Sequence, residues 1–191
     1  MANLIVSEFL SLDSVMEGPG PDDPFRLAGW SAGYGGKDFL DFKLKELFDA
    51  GALLMGEVTY QGFFKVWPTR TDDMGFSDAM NSIPKYVVSN SLKDPIWNNT
   101  TTIGGDIVAE VKKLKATINK DILVYGSSVL AETLFNEGLV DNLTIVLFPV
   151  VVGEGKKMFK DGESFKLDLV EARAMQPGAV LLKYNVAKKE Q

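Results

Sequence analysis

Neither cysteine nor histidine occurs anywhere in the 191-residue chain. Without cysteine there are no disulfides, no thiolate metal sites and no cysteine nucleophile. Without histidine there is no Ser-His-Asp triad and no zinc site of the usual kind. Proton transfer falls to Asp, Glu, Tyr, Lys or a bound water. No EF-hand or similar carboxylate spacing is present, so no metal is expected. Long apolar runs are also missing, and nothing approaches the roughly 18 residues of a membrane span. The opening Met1-Ala2-Asn3-Leu4-Ile5-Val6 lacks the basic stretch of a signal peptide and reads as a first strand. A cytoplasmic protein without membrane association is expected. Excess positive charge is absent too: the net charge is −6. A polyanion meets long-range repulsion from such a chain, which argues against a nucleic-acid partner. Lys112, Lys113 and Lys115 read as the solvated last turn of a helix.

What is present is an apolar fraction of 46% beside a charged fraction of 24%, enough for the core of one domain spanning residues 1–191. Short apolar runs alternate with helical patterns, the signature of an α/β domain with a largely parallel sheet. Strands are predicted at Leu4–Leu10, Ala52–Met55, Lys85–Ser89, Asp121–Tyr125 and Leu143–Phe148, the last followed by extended chain to Val152. The Gly-, Pro- and Asp-rich stretch from Asp13 to Gly36 is too long for a plain connection and reads as a functional loop or lid. A helix starts near Asp38 as N-cap, with Leu40, Leu44, Leu47 and Phe48 as its apolar stripe and Gly51 as its stop. Asp106 begins another helix, and Gly126-Ser127-Ser128 opens a third that closes at Gly138. Alternation at Phe165–Val170 and Val180–Val186 predicts a terminal hairpin with a type II turn at Pro177-Gly178.

Three strand ends carry small or polar residues: Gly56 with Thr59, Ser89 with Asn90, and Gly126-Ser127-Ser128. Singly each reads as a turn, and the serines read equally as helix N-caps. Together they point to one crevice at the carboxyl ends of a parallel sheet, where ligands gather. Gly126 permits close backbone approach, and N–H groups at a helix start favour a pyrophosphate. Gly153-Glu154-Gly155 follows a strand but opens no helix, and reads as a tight turn.

Several segments carry a resemblance. Leu53-Leu54-Met55-Gly56-Glu57-Val58-Thr59-Tyr60-Gln61-Gly62-Phe63 is similar to the LLMGRxTYEGF stretch of the dihydrofolate-reductase-like family, which includes the C-terminal reductase domain of bacterial riboflavin biosynthesis enzymes. Ile122 to Leu134 resembles its I-x-V-x-GS-x-x-L-x-x-x-L element. Gly138-Leu139-Val140-Asp141 resembles GLVDE, Phe148 to Gly155 resembles PVxLGxG, and Ser11-Leu12-Asp13 resembles SLDG. The words are short, but they fall in family order along nearly the whole chain.

The resemblance implies a three-layer α/β/α dihydrofolate-reductase-like fold, with a mixed, mostly parallel sheet ending in an antiparallel hairpin. It implies a reductase that delivers hydride from NADPH, with NADH left open, to a pterin-, pyrimidine- or flavin-like heterocycle, as in 5-amino-6-(5-phosphoribosylamino)uracil reductase. It places Gly56, Glu57 and Thr59 near the cofactor phosphates and Ser89 and Asn90 near the adenosine. Gly126, Ser127, Ser128, Val129 and Leu130 would wrap the pyrophosphate. Ser11, Asp13 and Asp41 would face the substrate, with Asp13 as candidate acid; Asp38 and Asp41 also read as ordinary first-turn acids. Two departures stand out. Glu57 replaces an arginine suited to a 2′-phosphate, a charge that Lys93 or Arg70 would have to supply, and Ser14 replaces a glycine. No Arg/Lys cluster marks a ribose-phosphate substrate. The alternatives are a nicotinamide-nucleotide-binding protein without efficient catalysis and a true dihydrofolate reductase. Trp30, Trp67, Phe63 and Phe64 read equally as ring-stacking or core residues. Long apolar C-terminal strands, Leu143–Val152 and Val180–Val186, predict a homodimer paired through exposed edges.

Overall fold

Strand β1 (Leu4–Ser11) lies at the middle of an eight-stranded sheet. The computed structural model describes residues 1–160, 162 and 164–187. After β1 come α1 (Lys37–Asp49), β2 (Ala52–Gly56), α2 (Glu57–Val66), a 3₁₀ turn (Trp67–Thr69), α3 (Phe76–Ser82), β3 (Lys85–Val88) and β4 (Thr100–Ile103). The chain continues through α4 (Ile107–Thr117), β5 (Ile122–Tyr125), α5 (Ser128–Asn136), β6 (Asn142–Phe148), β7 (Leu167–Ala174) and β8 (Val180–Val186). The strand order is β4-β3-β2-β5-β1-β6-β8-β7. The first six strands run parallel, and β8 and β7 add as an antiparallel pair. This is the expected three-layer fold.

Alternation along β1 builds both faces. Leu4, Val6 and Leu10 pack with Val111 and Leu114 of α4 and with Leu130 and Leu134 of α5. On the other face Leu53, Met55, Val87, Leu123 and Tyr125 meet Leu47 of α1, Tyr60 of α2 and Met80 of α3. Asp141, from the Gly138–Asp141 word, accepts the Leu4 N–H at 2.7 Å and so pins the start of β1. Gly138, at φ 64°, takes the left-handed conformation that ends α5.

Several expectations change. The first helix starts at Lys37 with Gly36 as N-cap, so Asp38 is not its cap, while its end at Asp49, with Ala50 as C-cap, agrees with Gly51 as its stop. Its buried face carries Lys43 and Leu47, while Leu40 and Phe48 are exposed. Lys43 takes an apolar position because its ammonium pairs with Glu46 and lies 4.0 Å from the Tyr125 ring centroid. Lys115 is not solvated: it is buried, pairs with Asp141 and donates to the Leu139 carbonyl at 2.8 Å. The hairpin turn is not type II. The Gln176–Pro177 peptide is cis, and the Gly178 N–H donates to the Met175 carbonyl at 2.7 Å, which puts a cis proline at the third turn position. Neither β6 nor β8 is an edge: β6 lies between β1 and β8, and β8 between β6 and β7. The edge on that side is β7, where Leu169 and Val170 are each 60% exposed. No helix among the described residues is long and apolar enough to cross a membrane.

Candidate functional site

β1 and β5 pair only from Leu4↔Ile122 to Ser7↔Tyr125. Beyond that point β5 turns away into α5, while β1 continues through Ser11 with β6 alone as its neighbour. The sheet therefore splits beside residues 8–11. The connection after β1 leads to β2 on one side, and the connection after β5 leads to β6 on the other. Such a reversal is the topological switch point at which open α/β sheets hold ligands.

The split is lined by strand ends that bond to one another. Gly126 and Ser127 both have positive φ, 60° and 66°. That pair of conformations swings the Ser127 side chain across to β2. Its Oγ accepts the Gly56 N–H at 2.7 Å and donates to Thr59 Oγ1 at 2.8 Å. Ser127 is thus the N-cap residue of α5 by position only; its hydroxyl caps nothing. A Cβ at Gly126 would lie 3.1 Å from the Thr59 side chain, a contact tight enough that Thr59 would have to give way. Helices α2 and α5 consequently both start off adjacent strand ends without a side-chain cap. Their first-turn N–H groups stay available to an anion. At α5 these belong to Ser128, Val129 and Leu130; Val129 is exposed and Leu130 buried.

The other ends behave differently. Glu57 points along the β3 side, where its carboxylate accepts hydrogen bonds from the Ser89 and Ser91 hydroxyls and from Gln61. The Ser89 bond, then that of Ser91, holds its pKa below the usual carboxylate range. Asn90 Oδ1 accepts the Gly105 N–H at 3.2 Å. The ten residues assigned to the cofactor therefore line adjoining strand ends. Arg70 does not join them; its guanidinium lies 5.2 Å from the Trp67 ring centroid.

Of the residues assigned to the substrate, Ser11 and Asp13 come together, and Asp41 stands apart. Asp13 accepts hydrogen bonds from Ser11 Oγ at 2.7 Å, Val152 N–H at 3.0 Å and Gly153 N–H at 2.8 Å. These bonds, Ser11 first, lower its pKa to about 2. So engaged, Asp13 ties the loop after β1 to the loop after β6. Ser11 is fully buried and also accepts the Val15 N–H, so it closes the same clamp. Asp41 faces solvent and pairs with Lys37; Asp38 accepts the Gln176 N–H at 3.3 Å. Phe39, between those two acids, meets Phe9 at 5.3 Å instead. Of the long loop, Trp30 and Tyr34 pack edge-on against Phe148, at 5.6 and 5.9 Å between ring centroids. Trp67, Phe63 and Phe64 pack against the α2–α3 core.

A polar group absent from the sequence reading lies at the split itself. Glu8 is 5% exposed, and its Oε1 has no hydrogen-bond partner among the described residues. Burial raises its pKa to about 8, against a lowering by Lys43 and a hydrogen bond from the Gly126 backbone. The signal was available: Glu8 is in phase with Leu4, Val6 and Leu10, so the alternation turns it inward. Beneath it on the α1 face, Tyr125 donates to Glu46 at 2.9 Å, and burial, then Glu46, raises the phenol well above its usual pKa.

The chain matches the model of the RibD C-terminal domain over residues 2–181. It is 38% identical to the uncharacterized protein YyaP of Bacillus subtilis (strain 168) over 107 residues, which span 56% of each protein. The matched part thus covers little more than half the length of that relative. A crystal structure of a putative riboflavin biosynthesis protein from Shewanella sp. PV-4 superimposes with a TM-score of 0.77 at 18% identity, covering 98% of this chain and 100% of that one. Dihydrofolate reductase from Enterococcus faecalis, solved with NADP(H), gives 0.62 at 14% identity and 97% coverage of both. Strand order, the split beside β1 and a family match across almost the whole chain agree: the chain belongs to the RibD C-terminal domain family.

Proposed function

We propose that this chain is an NAD(P)H-dependent reductase acting on a pterin-, pyrimidine- or flavin-like heterocycle. The observation that carries the reading is the pair of uncapped helix starts, α2 and α5, joined through Ser127 at the switch point. Two adjacent sets of free N–H groups suit the two phosphates of a dinucleotide. The residues fit such a cofactor. Gly126 leaves open the space a Cβ would fill beside Thr59, and the unpartnered Glu8 oxygen marks where a flat ring and its acceptor would meet polar protein.

On this reading Gly56, Thr59 and Gly126 to Leu130 hold the phosphates and neighbouring ribose, and Glu57, Ser89 and Asn90 meet the adenosine end. When bound, the dihydronicotinamide supplies a hydride to the acceptor carbon. The protein's part is to hold donor and acceptor about 3–3.5 Å apart in the split and to keep water out. The true dihydrofolate reductase alternative loses support, because Asp38 and Asp41 are engaged elsewhere and Phe39 faces the aromatic cluster. The small-molecule substrate and cofactor are the expected partners. A homodimer is proposed through the exposed β7 edge rather than through β6. Calorimetric titration with NADPH and NADH, followed by single-turnover oxidation of the bound cofactor across a panel of such heterocycles, tests the reading. Binding with oxidation by at least one acceptor is expected. Binding with no oxidation would leave a nucleotide-binding protein, and no binding would remove the reading altogether.

A further inference from the structure

Among the described residues, Glu8 is the one ionisable group at the split that keeps a buried oxygen without a hydrogen-bond partner. Asp13 is clamped by Ser11, Val152 and Gly153, and Glu57 is held by Ser89 and Ser91. Lys43 and Glu46 of α1 neutralise each other, and Tyr125 of β5 donates to Glu46. Glu8 remains, buried, with Oε1 bonded to nothing among the described residues. It is the first residue of β1 beyond the last pair with β5, so it stands at the point where the sheet opens.

From this placement we propose that Glu8 is the catalytic acid, giving its proton to the nitrogen or oxygen of the C=N or C=O group whose carbon receives the hydride. The inference rests on the reductase reading. The acceptor's π pair takes the proton from the Glu8 O–H as the carbon takes the hydride and its electron pair. The reduced product leaves neutral, and the Glu8 carboxylate regains its proton from water. A carboxyl must be neutral to do this. Burial, helped by the Glu46 charge and opposed by Lys43 and by the bond from the Gly126 backbone, lifts the Glu8 pKa to about 8. Lys43 is the largest opposing influence, and burial outweighs it. An acid with its pKa near the working pH is well matched to general-acid catalysis.

Two measurements test the proposal. On the protein alone, infrared difference spectra of wild type against Glu8→Gln should show one protonated carboxyl at pH 7 that is missing in the variant and titrates near pH 8. A Glu8 already ionised at pH 7 overturns the proposal without any substrate. With NADPH bound, hydride transfer is followed to each neutral heterocycle that turns over and to its N-methylated cation, which accepts hydride without needing a proton. Glu8→Gln should slow the neutral acceptor at least about a hundredfold, in the usual range for general-acid loss, while the cation reacts as in wild type. The wild-type rate on the neutral acceptor should fall above about pH 8, the pKa of Glu8, and its rate on the cation should not. Equal loss on both acceptors would make Glu8 a positioning or packing residue, and no loss would make it a bystander; either result overturns the proposal. If wild type binds NADPH but reduces neither acceptor, the reductase reading itself fails and takes this inference with it.

Discussion

The starts of α2 and α5 differ from those of α3 and α4 in how their N–H groups are satisfied. Asp106 caps α4, its Oδ1 accepting the Ala109 N–H at 3.0 Å. Asp72 fills the start of α3, taking the N–H groups of Met74 and Phe76 on Oδ1 and of Ser77 on Oδ2. Both are solutions that a fold reaches for its own stability. At the switch point the Ser127 hydroxyl and the Glu57 carboxylate stand equally close in sequence to the helix starts, yet cap neither. Ser127 spends its hydroxyl on Gly56 and Thr59, and Glu57 is turned toward Ser89 and Ser91. On the function proposed above, these two unfinished ends beside the split sheet are the ones that hold the cofactor.

The same contrast separates the acids, and here the largest effect is expected. Asp72 and Asp13 are each lowered to about 2, so the stability they contribute is present above their ordinary value of 3.8 and is lost as pH falls through about 2. Glu8 has the opposite sign. Raised from 4.5 to about 8, it keeps its proton in the folded state after the unfolded chain has lost it, so stability falls as pH rises between those values. At about 1.4 kcal/mol per pKa unit the fall amounts to a few kcal/mol. Denaturant melts from pH 4.5 to 8 should show this decline in wild type and a much flatter profile in Glu8→Gln; matching slopes would place Glu8 in water.

Next in size, Gly126→Val sets a branched side chain against Thr59 at a position with φ 60°. Cofactor affinity should fall at least about tenfold, equivalent to about 1.4 kcal/mol of binding, with some loss of stability from the backbone strain. Calorimetry showing unchanged affinity would remove the α5 start from the site.

Glu57→Arg follows. It frees the Ser89 and Ser91 hydroxyls and replaces a charge that repels a 2′-phosphate with one that attracts it. NADPH should tighten relative to NADH by roughly five- to a hundredfold, and the gain should shrink in high salt. Equal effects on both cofactors would set Glu57 apart from the 2′ position.

The smallest change is the control. Asp106→Ala should cost about 1 kcal/mol of stability and leave cofactor affinity untouched, because the α4 start belongs to the fold. A drop in affinity would erase the distinction between finished and unfinished ends.

The sequence made most strands legible because their apolar runs are short, uninterrupted and bounded by glycine or polar residues. It failed where a charged residue occupies a core position. Lys43 broke the apolar stripe of α1, and the pairing with Glu46 and Tyr125 that permits its burial comes partly from a distant strand. Lys85 starts β3 as the sequence predicts, but its burial, with donation to the carbonyls of Asn81, Ile83 and Asn98, rests on contacts invisible before folding. The short α3 went unread because it is a poor helix former held by a carboxylate ahead of it. The strand β4 went unread because Thr100 to Ile103 is a polar edge. At the site, glycines and hydroxyls at strand ends were readable, since backbone approach demands those residue types. The clamp that engages Asp13 was not, because two of its donors lie about 140 residues away, at Val152 and Gly153.

On the proposed function, the uncapped starts of α2 and α5 bind the phosphates of a nicotinamide dinucleotide. Backbone amide NMR of the labelled protein titrated with NADPH addresses it directly. The largest shifts are predicted for the amides of Glu57 to Thr59 and Ser128 to Leu130, with those of Phe76 to Asp78 and Ile107 to Ala109 unmoved. Shifts centred on α3 or α4, or none at saturating NADPH, would contradict it.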